Sequence, residues 1–155
     1  MNDQFRLDGQ RALITGAGRG IGLGIAQAMA QAGAEVTLCA RTASEVDSAA
    51  NDLRDQGFCA QTLVLDVSDT TGCAQQVKAL PAFHVFVNNA GTNRPKPLAE
   101  ISEDDFDAVF NLNVRAAIFA AQAVSKRMVA EGVKGSIINM SSQMGHVGAA
   151  NRTLY

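Results

Sequence analysis

Four glycines, at positions 16, 18, 20 and 22, stand directly behind the apolar run 11–15 (RALIT), and they leave this chain few folds to choose from. After them Ile21, Ile25, Ala28, Met29 and Ala32 recur at helical spacing, and Gly33 closes the pattern. The order is strand, glycine turn, helix. Glycines in such a turn permit positive φ and let backbone approach a ligand closely. The helix start offers free N–H groups and the positive end of a dipole. A pyrophosphate suits that geometry, so a bound dinucleotide is the first expectation.

The rest of the chain alternates in the same way. Further strands are expected at 35–40 (EVTLCA), 60–65 (AQTLVL), 83–88 (FHVFVN) and 135–141 (GSIINMS). Helices are expected over 44–56, with Ser44 and Asp47 as a capping box and Gly57 as the stop, and between Asp66 and Leu80, ended by Pro81. The loop 89–101 carries Pro95 and Pro97. Ser102 with Asp105 caps another helix, and Ala-rich helical sequence runs from about 107 to 131, with a bend near Asn111–Asn113. Strand–helix alternation at this spacing implies an α/β fold: a doubly wound, Rossmann-type parallel sheet with helices on both faces. The strands read as continuous apolar runs, as doubly buried strands should. Residues 1–155 read as a single dinucleotide-binding domain.

Charge and cysteine usage narrow the function class. The net charge is −2 and basic residues do not cluster, which argues against a nucleic-acid partner. No apolar run approaches the roughly 18 residues that a membrane span needs. The polar start MNDQFRLDGQR does not read as a signal peptide. Cys39, Cys59 and Cys73 are odd in number and fit no metal box, so no metal is expected. Reduced thiols in a cytoplasmic protein are the plain reading.

The glycine spacing is not G-x-G-x-x-G but T-G-x-x-x-G-x-G, from Thr15 to Gly22. Asn88-Asn89-Ala90-Gly91 follows the fourth strand, Asn113 stands in NLNV, and Ser142 precedes Tyr155 by thirteen positions. Five motifs in this order, covering the whole chain, resemble the short-chain dehydrogenase/reductase family. The resemblance implies that Gly16, Gly20 and Gly22 form the pyrophosphate turn, with Ile21 among the cofactor contacts. It implies that Asp66, with Val67, meets the adenine, that Asn88 steadies the central strand, and that Ala90 and Gly91 line the cofactor cleft. Tyr155 would be the general acid/base, Ser142 would hold the substrate oxygen, and Asn113 would bend its helix and seat a water in a proton relay. Taken without the family, Asp66 also fits a helix cap, Asn88 and Asn89 fit plain turn residues, and Ser141 and Ser142 fit a strand end. His84 and His146 read as structural or surface residues, His146 within reach of a substrate.

The end of the second strand bears on the cofactor. NAD needs a carboxylate there for the ribose 2′-hydroxyl. Here the residues are Cys39-Ala40-Arg41. Arg41 suits a 2′-phosphate through a charge-assisted bidentate contact, and Arg19 reaches toward the same group. Both features resemble members that prefer NADP, so NADP(H) is expected over NAD(H). The alternative is that both arginines are solvated surface charges.

The resemblance implies reversible alcohol–carbonyl oxidoreduction on a small-molecule substrate. An unperturbed tyrosine titrates near about 10, and bringing it to about 7 requires roughly 4 kcal/mol of preferential phenolate stabilisation. In the family a lysine four residues on contributes to this, and the sequence ends at Tyr155. The expectation is therefore a C-terminally truncated member lacking the last two strands. Such a chain would be catalytically dead or nearly so, with an exposed fifth strand and an open apolar face on the helix 113–131. The full-length form would be a homo-oligomer, dimer or tetramer. The competing reading is a non-catalytic nucleotide-binding module, against which the joint presence of Asn113, Ser142 and Tyr155 argues. Gln143, His146, Asn93, Arg94 and Lys96 are polar candidates for substrate contact. They favour a sugar acid or polyol and resemble the gluconate-dehydrogenase-like branch of the family.

Overall fold

The computed structural model describes residues 3–155. Its five parallel strands are β1 (Arg11–Thr15), β2 (Glu35–Ala40), β3 (Ala60–Val64), β4 (Val85–Asn88) and β5 (Ser136–Asn139), in the order β3-β2-β1-β4-β5. The helices are α1 (Gly20–Gln31), α2 (Ala43–Asp55), α3 (Thr70–Ala79), α4 (Glu103–Phe110) and α5 (Ala117–Ala130). This is the Rossmann-type α/β architecture that the sequence implies.

Side chains of a strand alternate between faces, so a strand between two helical layers must be apolar at every position. Ala12 and Ile14 of β1, with Val36 and Leu38 of β2, pack on Ala26 and Ala30 of α1 and on Val46, Ala50 and Leu53 of α2. Leu13 and Cys39 face the other way, onto Cys73 and Val77 of α3 and Ala120 and Val124 of α5. The outer strands β3 and β5 expose part of their residues; Val64 and Ile138 are both open to solvent.

Strand ends are shorter than the apolar runs suggest. Leu65 still donates its N–H to the Ala40 carbonyl at 3.0 Å, but β2 ends at Ala40 and the ladder has nothing further to pair with. Phe83 is buried in the core as part of the loop that precedes β4. Gly135, Met140 and Ser141 flank β5 rather than belong to it. The expected capping box of Ser44 and Asp47 is not formed. Helix α2 begins one residue earlier, at Ala43, with Thr42 at the cap and no side-chain cap bond. Ser44 is then inside the first turn, too far along to serve a cap.

Helix α4 starts at Glu103, directly behind the expected cap at Ser102. Ser102 Oγ accepts the Asp105 N–H at 3.2 Å, and Asp105 Oδ2 accepts the Ser102 N–H at 3.1 Å and its hydroxyl at 2.8 Å. Lys96 Nζ reaches the same oxygen at 2.6 Å. The irregularity expected near Asn111–Asn113 is a run of wide π-helical turns, Asn111–Ala116, between α4 and α5. Phe106 and Phe110 stack with centroids 4.1 Å apart, and with Val114 and Ile118 they form an exposed apolar stripe at four-residue spacing. Among the described residues no helix is long and apolar enough to cross a membrane.

Asp105 supplies a pH test. The Lys96 ammonium, then the Ser102 backbone and hydroxyl, hold its carboxyl down to about 2, against an ordinary 3.8. A depressed folded value stabilises the fold above the unfolded value, and the contribution is lost as pH falls through the folded one. Urea-unfolding midpoints taken from pH 5 down to pH 2, each about one step apart, should fall more steeply for the wild type than for Asp105→Asn.

Candidate functional site

The strand order reverses between β1 and β4, and the loops that follow these two strands diverge. That opens a crevice at the carboxyl ends of the sheet, where ligands of such folds sit. Two clefts occupy it. The smaller, about 370 Å³, is lined by Gly16, Arg19 and Gly20 from the glycine turn, Ala40 and Arg41 after β2, and Asp66 and Val67 after β3. The larger, about 810 Å³, is lined by Ile21, Asn88, Asn113, Ser142 and Tyr155. Both share Asn89, Ala90 and Gly91, so they are two ends of one crevice. Every residue expected to touch the cofactor or to take part in the chemistry lines it except Gly22, which is buried.

The turn owes its shape to two glycines at positive φ, Gly16 at 64° and Gly20 at 59°. An L side chain at either would be strained. No side chain caps α1, so its first-turn amides are left available, and a Cβ built at Gly20 meets nothing within 4 Å. A phosphate-sized anion fits such a cradle. Gly22 acts differently. A Cβ there would collide with the Gly16 carbonyl and lie 2.6 Å from Asn89 Nδ2. Its part is to let α1 press against the turn.

Thr15 and Asn89, to which sequence reasoning gave no role, hold the crevice together. Thr15 Oγ1 accepts the N–H groups of Asn89 at 3.0 Å and Ala90 at 3.1 Å. Asn89 Nδ2 donates back to the Thr15 carbonyl at 2.9 Å and the Gly16 carbonyl at 3.3 Å. Both residues stand inside the quoted motifs, and that was the signal available. Asn88 is no plain turn residue. It is buried, and its Nδ2 donates to the Ala117 carbonyl at 2.8 Å and to Asn139 Oδ1 at 3.1 Å, tying β4 to α5 and β5.

Asp66 does not cap α3; Asp69 does, accepting the Gly72 N–H at 3.0 Å. Asp66 Oδ1 instead accepts the Ser68 N–H at 2.9 Å and hydroxyl at 2.6 Å. Arg41 lies 4.0 Å from its other oxygen. Burial pushes the Asp66 carboxyl up, but the two Ser68 bonds and the Arg41 guanidinium together outweigh it and hold the group below the ordinary carboxylate value. Cys39, under the same cleft, is pushed up to about 12 by burial, then by Cys73 and Asp66, so its thiol stays protonated.

At the other end, Ser142 Oγ accepts the Met144 N–H at 3.2 Å, which leaves its own proton to donate. Asn113 is closed on the loop. Its Oδ1 accepts the Thr92 N–H at 2.8 Å and its Nδ2 donates to the Thr92 carbonyl at 2.8 Å. Of the polar candidates for substrate contact, none of Gln143, His146, Asn93, Arg94 and Lys96 lines the larger cleft. Lys96 is committed to Asp105, and Gln143 is drawn into a short 3₁₀ turn. Asn139, Val114, Ile118, Met140 and Leu154 line the cleft in their place. His84 is structural, its Nδ1 accepting the Arg11 N–H at 3.0 Å.

Comparison with known proteins places this arrangement. The family model described as short chain dehydrogenase matches residues 10–155. The chain belongs to that family. It is 42% identical over 144 residues to gluconate 5-dehydrogenase of Gluconobacter oxydans, covering 90% of this chain and 56% of that protein. To L-xylulose reductase of Mesocricetus auratus it is 36% identical, covering 96% and 59%. A crystal structure of a gluconate 5-dehydrogenase from Burkholderia cenocepacia, in complex with NADP and tartrate, superposes with a TM-score of 0.93 at 38% identity, covering 99% of this chain and 61% of that one. The chain thus spans somewhat under two thirds of these relatives. In this short-chain dehydrogenase the contact at Gly22 is expected to tolerate no methyl group. Gly22→Ala should lose about 1–3 kcal/mol of stability, read as a lowered urea midpoint.

Proposed function

We propose that this short-chain dehydrogenase is an NADP(H)-dependent oxidoreductase interconverting a small polar alcohol, of the sugar-acid or polyol kind, with its carbonyl form. One observation carries the reading: a glycine cradle with available amides and a pair of hydroxyls, Ser142 and Tyr155, border one continuous crevice. A binding module has no use for the second end. The names and bound ligands of the relatives, a sugar-acid dehydrogenase solved with NADP and tartrate and a ketose reductase, support the substrate class and the cofactor.

In this reading Gly16, Gly20 and Ile21 hold the diphosphate by their amides, with Gly22 giving the turn its close packing. Asp66 and Val67 border the adenine, and Arg19 and Arg41 take the 2′-phosphate. Ala40 presents a methyl group where NAD would need a carboxylate. Ala90 and Gly91 give the cofactor a path along β4, and Asn88 fixes that path. When bound, NADP(H) supplies or takes up hydride at the substrate carbon. The Ser142 hydroxyl donates a hydrogen bond to the substrate oxygen, keeping its own proton, and the Tyr155 phenol gives that oxygen one proton in reduction and removes one in oxidation. Asn113 is a positioning residue that holds the wide turns and Thr92 in one arrangement. The stripe of Phe106, Phe110, Val114 and Ile118 suits a second copy of the chain, and the setting is the cytoplasm.

Screening polar hydroxy acids, polyols and their keto forms with NADPH and NADH on the full protein tests the reading. Near-equal dissociation constants for the two nucleotides would sink the cofactor assignment. Arg41→Ala should weaken NADPH by about tenfold, through loss of a charged hydrogen bond, and leave NADH nearly unmoved. Tyr155→Phe should lower kcat/KM by about 10²–10⁴ with NADPH affinity retained. Wild-type turnover in that variant would remove the phenol from the chemistry.

A further inference from the structure

We infer that Glu45 sets how strongly this site prefers a phosphorylated over an unphosphorylated ribose. The inference rests on the dinucleotide reading above and concerns a residue outside every motif of the sequence. Glu45 stands in the first turn of α2, three positions past Thr42 at its cap. It is half-buried and borders the smaller cleft beside Gly18, Ala40 and Arg41. A Cβ built at Gly18 would lie 3.1 Å from Glu45 Cβ and 3.3 Å from Glu45 Oε2. The side chain therefore lies across the glycine turn, with its carboxylate against the cleft rather than out in solvent. Gly18 is not among the glycines at positive φ, so the space it leaves serves Glu45 rather than the backbone.

Four charged side chains border this cleft: Arg19 and Arg41 are positive, Glu45 and Asp66 negative. Asp66 is occupied by Ser68 and neighbours Arg41. Among the described residues Glu45 has no hydrogen-bond or ion-pair partner, so both of its oxygens are free to act on a ligand. A ribose 2′-hydroxyl can donate to such an oxygen, a service that Ala40 cannot give. A 2′-phosphate, carrying about −1.5 to −2 charges near pH 7, is repelled by the same oxygen while the two guanidiniums attract it. Glu45 thus works against the arginines: it holds the preference for NADPH down and keeps a hydrogen-bond acceptor for NADH.

Glu45→Gln removes the charge at almost constant volume, and Glu45→Ala removes the acceptor as well. Nucleotide-fluorescence titrations with NADPH and NADH on the full wild-type protein and both variants read the effect. Glu45→Gln should tighten NADPH by about three- to tenfold and leave NADH equal or weaker. Glu45→Ala should also raise the preference for NADPH, with a larger loss of NADH. A ratio of the two dissociation constants that stays within about twofold of the wild type in both variants overturns the inference and leaves the dinucleotide reading intact. A wild-type protein that binds neither nucleotide overturns both.

Discussion

Everything at the ligand end of this sheet depends on how two loops are fastened where the strand order reverses. The loop after β1 and the loop after β4 start from neighbouring strands and must part to open a crevice, yet stay fixed relative to each other. Thr15 and Asn89 do this with a reciprocal set of hydrogen bonds, hydroxyl to amides in one direction and amide to carbonyls in the other. The contact is only reachable because Gly22 has no side chain and lets α1 close on the turn. Buried polar groups gain little from being paired but lose much when left unpaired. A single break here would therefore strand several at once.

The same logic recurs further along the crevice. Asn88 joins three elements through one amide, and Asn113 closes its own amide on Thr92 in both directions. These asparagines act on geometry, holding backbone in place for groups that act on chemistry. The wide turns of Asn111–Ala116 are where the helix gives up its regular ladder, and such departures are frequent at functional sites. Lys96 belongs with them. It reads in the sequence as a polar candidate for substrate contact, and in the fold it anchors a loop to the cap of α4.

Electrostatics divides the crevice into two unlike ends. The end beside the glycine turn is bordered by two guanidiniums and two carboxylates. The other end is bordered by hydroxyls, asparagines and aliphatic side chains. Among the described residues that line that end, none is an arginine, lysine, aspartate or glutamate.

Local sequence determined the order of strands and helices, the glycine turn and the α4 cap, because each depends on contacts within a few residues: φ permission at Gly16 and Gly20, and the reach of Ser102 to Asp105. It also marked the motif residues that border the crevice, since the motifs carry them as short units, but not Glu45, Val114, Ile118, Asn139, Met140 and Leu154. What it left open were matters of long-range pairing. Strand ends depended on where the neighbouring strand stopped, and the start of α2 on where the chain left β2. Which of the polar residues stayed free was decided only by tertiary contact: Lys96 found Asp105, Asp66 found Ser68, and Glu45 came to rest over Gly18 with no partner among the described residues. Those outcomes come from groups far apart or differently oriented along the chain, and no spacing rule contains them.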